Sequence, residues 1–159
     1  MIRELNLVNS DLILNSTRVL ILVSKFESRK AFKLNANKIM LYDFYMKFPQ
    51  TMIPKNFNIS TEQDFNEFYS FFHSQPDREE YQLYIRYLIS KKLVDRIIIG
   101  SDFCYRITEK GKEALIKLES RYSKELHKIA NYIKQEVSKL SENNIEETIL
   151  RMSLKGNRD

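Results

Sequence analysis

The chain has 159 residues, about the size of one domain, and a formal net charge of +5. It holds 3 glycines and 3 prolines, against roughly 11 and 8 at average usage. Gly100, Gly111 and Gly156 are far apart, so the glycine clusters of a P-loop, a dinucleotide-binding turn or a kinase Gly-rich loop are absent. Few chain breakers favour long helices over a many-stranded sandwich.

Residues 11–26, DLILNSTRVLILVSKF, are apolar at 12–14, 19–23 and 26, with Arg18 and Ser24 interrupting. A helix apolar on nearly all sides belongs at the centre of its domain, and Ser10 or Asp11 can cap it. Asn35 can cap a second helix, 36–48, whose stripe is Ala36, Ile39, Met40, Phe44 and Phe48. Pro49 ends it. Residues 49–61 read as a loop, followed by a short aromatic helix carrying Phe65, Phe68, Tyr69 and Phe72. These rings either pack on the core or form a stacking platform for bases.

Asp77 opens a helix over 77–92, with Tyr81, Tyr84, Ile85, Leu88 and Ile89 on one side. The opposite face holds Glu79, Gln82, Leu83, Arg86 and Ser90. Residues 93–99 are rich in β-branched side chains and predict a strand. Gly100-Ser101-Asp102 predicts a turn, and 103–107 a second strand. Thr108 is placed to cap the next helix, and Gly111 lets its first turn pack closely.

From Leu115 an apolar stripe runs through 118, 122, 126, 129, 133, 137 and 140. Its steps of three and four follow an 11-residue repeat of about 3.67 residues per turn. The spacing predicts one helix over 109–140, about 48 Å long at ~1.5 Å per residue. Either it folds back on the core, or it docks a partner or a second copy through Leu126, Ile129, Ile133, Val137 and Leu140. Asn143 or Asn144 can cap a last short helix, 145–152, with Ile145, Ile149 and Met152 together.

The expected fold is mostly α with a small β-hairpin wing. A winged-helix-like domain spans 10–108, with an insertion at 49–75, and the helical extension spans 109–154. On the helix over 77–92, Asp77, Glu79 and Glu80 oppose phosphate, and one outward Arg86 is poor equipment for reading a DNA groove. Outward Leu83 and Arg86 suit a protein contact better. Lys91, Lys92, Arg96 and Arg106 are candidate phosphate contacts without sequence preference, set against a solvated charged surface.

Catalytic and metal chemistry find little support. Cys104, His73 and His127 cannot supply the four ligands of a structural zinc site. Neither histidine has a nucleophile in its sequence context, and Cys104 fits a packed thiol. Asp11, Asp43, Asp64 and Asp77 are dispersed and match no metal motif. No enzyme activity and no cofactor are expected. A lone cysteine fits a reducing cytoplasm, and neither a transmembrane helix nor a signal peptide is expected.

The layout resembles a known family. An apolar first helix, RVLILVSKF (18–26), precedes a second carrying KIMLYDFY (38–45), with Leu41-Tyr42-Asp43-Phe44-Tyr45 as its most suggestive piece. A loop-rich insertion, a helix-plus-wing unit and a long terminal helix follow. This resembles the middle components of bacterial ABC-type three-component systems, including Lamassu-type defence operons. The resemblance implies a non-enzymatic subunit bound to an SMC-like or Rad50-like ATPase, together with an effector that is often a nuclease. The alternative from the residues is a dimeric winged-helix DNA-binding regulator, paired through the long helix.

Overall fold

Five consecutive side chains, Val19 to Val23, are at most 3% exposed. A helix buried on every side needs neighbours all round it. In the computed structural model, which describes residues 2–54, 77–118 and 121–156, that helix is α1 (Ile2–Ser24). Helix α2 (Ala36–Lys47) lies beside it, with every side chain from Ile39 to Met46 buried. Asn35 caps α2 as expected, its side chain accepting the Lys38 N–H at 2.8 Å. A single turn, α3 (Pro49–Met52), follows with proline at its start.

Helix α4 (Arg78–Ser90) is capped by Asp77, whose carboxylate accepts the Glu79 N–H at 3.0 Å. Strands β1 (Val94–Ile99) and β2 (Asp102–Ile107) then form an antiparallel hairpin, with Val94 opposite Ile107 and Ile99 opposite Asp102. Gly100 takes the positive φ of +65° that this tight turn demands. Thr108 caps α5 (Glu109–Ile116), accepting the Gly111 N–H at 3.0 Å. A Cβ on Gly111 would stand 2.3 Å from the Leu93 carbonyl oxygen. The expected close approach of that helix start to the hairpin is therefore real.

Helix α6 (Arg121–Gln135), a 3-10 turn (Val137–Lys139) and α7 (Glu142–Gly156) complete the described chain. Helices α2, α4 and α6 pack on α1, and α7 packs on α2 and α3. The described residues are thus mostly helical with one small antiparallel hairpin, the class the sequence predicts.

The helix expected to run unbroken over 109–140 is instead two helices and a 3-10 turn. The first ends at Ile116, where the Leu118 N–H turns back to the Leu115 carbonyl. No glycine or proline causes the break. The buried Ser123 hydroxyl donates to the Leu118 carbonyl at 3.0 Å and ties the new direction. The gain is burial: Leu126, Ile129 and Ile133 are 4%, 3% and 0% exposed in the common core. Each is worth about 1.5–3 kcal/mol, against about 0.5–1.5 kcal/mol for each helical hydrogen bond given up.

Smaller corrections have similar causes. Helix α1 already runs from Ile2, so Ser10 and Asp11 are interior to it and do not cap it; nothing in the preceding sequence breaks a helix. Ile13 and Leu14 lie on the surface, 50% and 57% exposed. Helix α2 is buried all round rather than along one stripe, because α1, α4, α6 and α7 all pack on it. Pro49 opens a helical turn within the expected loop. Ser141, not Asn143 or Asn144, caps α7, accepting the Asn144 N–H at 3.2 Å. Ile145 and Ile149 are buried and Met152 packs against the core, as their spacing predicts. The aromatic segment 65–72 and His73 lie outside the described residues.

Candidate functional site

The face of α4 that meets the core is the one predicted: Tyr81, Tyr84, Ile85 and Leu88 are buried. Glu79, Gln82, Leu83, Arg86 and Ser90 are all exposed, with Leu83 at 53%. Asp77, Glu79 and Glu80 give the N-terminal end of that face a negative character that suits the helix dipole. The helix ends with Lys92 at φ +62°. The Leu93 N–H reaches the Leu88 carbonyl at 3.0 Å, and the Lys92 N–H reaches that of Ile89 at 2.9 Å. This is the Schellman closure, made here with lysine where glycine is usual.

The register divides the four candidate phosphate contacts. Arg96 stands opposite Tyr105 and Arg106 opposite Asp95, so alternation sends the two arginines to opposite faces of the hairpin. The Arg106 guanidinium donates to the Lys30 carbonyl. The Arg96 guanidinium lies 4.7 Å from the centroid of the Phe103 ring, a cation–π contact. Lys91 and Lys92 are exposed at the end of α4, Lys91 resting 5.8 Å from the Tyr87 ring. The four do not form one patch, and Arg106 is committed to holding the hairpin against the segment before α2.

The five candidate docking residues of the terminal stripe also separate. Leu126, Ile129, Ile133 and Val137 are at most 4% exposed, buried in this chain's own core. Of the two alternatives for the stripe, the fold-back on the core describes these four: α6 packs on α1 and α2, and Val137 follows in the 3-10 turn. Leu140 remains on the surface, 43% exposed. The largest exposed apolar side chains elsewhere are Ile116 at 75%, Ile98 at 68% and Leu150 at 61%. Sequence reasoning gave Ile98 no surface role, because an Ile-rich strand looks like core.

It also left Arg18 and Asp43 apart, although they form the principal polar contact of the interior. The Arg18 guanidinium donates to both carboxylate oxygens of Asp43, at 2.6 and 2.8 Å. The Tyr81 hydroxyl donates to Asp43 Oδ2 at 2.5 Å. Arg18 is 7% and Asp43 0% exposed. Helices α1, α2 and α4 are therefore joined at one carboxylate. Burial, and then the Asp43 charge, push the Tyr81 phenol far above its ordinary value. Lys47 sits 5.9 Å from the Tyr81 ring, its pKa lowered by burial. An arginine inside an apolar helix was a usable signal: a charge there demands a buried partner.

The remaining titratable groups are scattered. Cys104 is buried, and burial pushes its thiol up. His127 is half-buried, its pKa lowered by burial and then by Lys25. Burial and nearby Tyr132 push the Tyr45 phenol up to about 12. Among the described residues no group of three His, Cys, Asp or Glu side chains is placed to hold a metal ion. No described helix is long and apolar enough to cross a membrane.

The described residues form a small helical architecture with one hairpin, a buried ion pair in its interior, and exposed apolar residues dispersed over α1, α4, the hairpin, α5 and α7. The chain belongs to the family described as ABC-three component (ABC-3C) system Middle Component 2, which it matches over residues 8–158. Membership implies partner components in the same system. Comparison with curated proteins finds no match, and comparison with solved structures finds none either.

Proposed function

We propose that the chain is a non-catalytic, cytoplasmic accessory subunit that docks on an SMC-like or Rad50-like ABC ATPase. The complex would be a bacterial anti-phage or anti-plasmid assembly of Lamassu type, holding a nuclease-type effector as its third component. In this proposal α4 and the hairpin are a winged-helix-like unit turned to protein contact. Membership of the middle-component family over residues 8–158 carries the reading. The outer face of α4 supports it, since exposed Leu83 and Arg86 sit beside an acidic helix start that repels phosphate. A dimeric DNA-binding regulator has weaker support, because the stripe that would pair two copies is buried within one chain.

Co-expression with the other two components tests the proposal. The expected result is a stable complex on affinity purification and size-exclusion chromatography. Leu83→Asp is expected to weaken it by about tenfold or more, the loss of one apolar anchor. A chain that stays monomeric beside both components, or that binds duplex DNA with a steep salt dependence instead, overturns it.

A further inference from the structure

Among the described residues, the hairpin has a strand on neither side, and its two edges differ. The Tyr105 N–H points away from β1, to the Leu34 carbonyl at 3.1 Å. Tyr105 and its cross-strand neighbour Arg96 are therefore a non-hydrogen-bonded pair. Both residues of such a pair turn their backbone groups outward, so the Arg96 N–H and C=O point away from β2. Alternation gives Ile98 the same orientation. The β2 edge is covered by the segment before α2, through the Leu34 carbonyl, the Lys30 carbonyl and the Lys33–Asp102 ion pair. The β1 edge pairs with no strand among the described residues.

Natural proteins blunt a free edge with charged side chains, lysine above all, or with proline, a bulge or a covering element. Strand β1 carries the charges of Asp95 and Arg96 but no proline or lysine, and its pairing runs without a bulge from Val94 to Ile99. It instead exposes apolar surface on the face that carries Arg96: Ile98 is 68% exposed and its cross-strand partner Phe103 54%. Arg96 is held over Phe103 and carries the charge of that face.

We propose that the β1 edge is a strand-addition site for an extended segment of another component of the same system. Resting on the accessory-subunit reading, the inference specifies its contact. The backbone of Arg96 and Ile98 would pair with the incoming strand. The occupant's chemistry follows from the face: an apolar side chain to cover Ile98 and Phe103, and an acidic one to meet Arg96. A second copy of this chain fits less well. Symmetric pairing centred on Arg96 sets two arginines directly opposite each other, which is destabilising.

Amide hydrogen exchange on the isolated chain and on the three-component complex tests this. In the isolated chain the Arg96 and Ile98 amides should exchange fast, while those of Ile97 and Ile99, which face β2, are already protected. In the complex the Arg96 and Ile98 amides should slow by more than about tenfold. Ile98→Pro removes only an outward N–H and is tolerated on an edge strand. It should abolish that protection and weaken the complex, and Arg96→Glu should weaken it with the backbone unchanged. Should Ile98→Pro fail to fold, the wild-type exchange pattern and Arg96→Glu decide. A complex that forms with Arg96 and Ile98 still exchanging fast overturns this inference and leaves the accessory-subunit reading standing. Protection that already develops in the isolated chain as its concentration rises assigns the edge to a second copy and overturns it. Failure of any complex to form overturns both.

Discussion

Leu20-Ile21-Leu22-Val23 and Ile97-Ile98-Ile99 are equally apolar stretches with opposite fates. The first is at most 3% exposed inside α1. The second lies in β1, where Ile98 is 68% exposed and its neighbours are only partly covered. What separates them is the number of elements brought up against each. Helix α1 is surrounded by α2, α4, α6 and the hairpin. Strand β1 has one strand beside it and, among the described residues, no strand along its other edge. Apolar character says that a segment wants cover; topology decides whether the same chain supplies it. The centre also carries a charge and the rim does not need one, so the two regions should respond very differently to substitution.

The largest effect is expected at the buried carboxylate. Asp43→Ala leaves the Arg18 guanidinium without its bidentate acceptor and the Tyr81 hydroxyl without its own. A loss of about 3–5 kcal/mol is expected, read from the urea midpoint of unfolding. The triple change Arg18→Met, Asp43→Leu, Tyr81→Phe removes the ion pair and the hydroxyl that donates to it together and should recover most of that loss. If the single and triple variants are equally unstable, the carboxylate is not the joint between α1, α2 and α4.

The next prediction compares one isoleucine in each region. Ile133 is 0% exposed on α6, and Ile133→Ala should cost about 2–5 kcal/mol. Ile98→Ser on the rim should stay within about 0.5 kcal/mol of the wild type in the isolated chain. A large loss at Ile98 would show that the hairpin face is covered in solution, which breaks the contrast directly.

This contrast also explains what the sequence could and could not disclose. Local chemistry was legible: the caps Asn35 and Thr108, the turn at Gly100 and the core face of α4 all depend on residues within a few positions of one another. The tight contact at Gly111 followed from the same local logic. The break after Ile116 was not legible, because the apolar stripe keeps its phase across it. Only the burial gained by α6 on α1 and α2 favours two helices, and that gain depends on residues about a hundred positions earlier. Arg18 and Asp43 lie on different helices, so no spacing rule joins them. Family membership was legible in the LYDFY segment, which places Asp43, the carboxylate at the centre, within the piece that carried the resemblance.

A smaller, stabilising effect is expected at the junction of the two regions. Lys92 adopts φ +62° to close α4 into the hairpin, a conformation costing a side-chain-bearing residue about 1 kcal/mol or more. Its side chain is exposed. Lys92→Gly should therefore raise stability by roughly 0.5–1 kcal/mol, glycine's extra freedom in the unfolded chain offsetting part of the relief. Thermal unfolding measures it, and a lower midpoint would show that Lys92 makes a contact worth more than the strain.

The smallest effect is a pH dependence within the core region. His127 on α6 is half-buried, and burial together with Lys25 lowers its pKa below the ordinary 6.5. Near pH 6.5 and just below it, the unfolded chain therefore binds the proton more readily than the folded one. Stability contributed by neutral His127 is present above pH 6.5 and is lost as pH falls through the lowered folded value. His127→Gln removes that proton and should flatten the fall in urea midpoint across this window, while leaving the slope at higher pH unchanged. At the alkaline end the sign reverses. Tyr42, Tyr45 and Tyr81 all have raised pKa values, so above pH 10 the unfolded chain releases protons that the folded one keeps, and stability falls. An acid slope unchanged by His127→Gln would mean that α6 opens away from Lys25 before the histidine titrates, and the boundary between the rigid centre and the open rim would have to be redrawn to exclude α6.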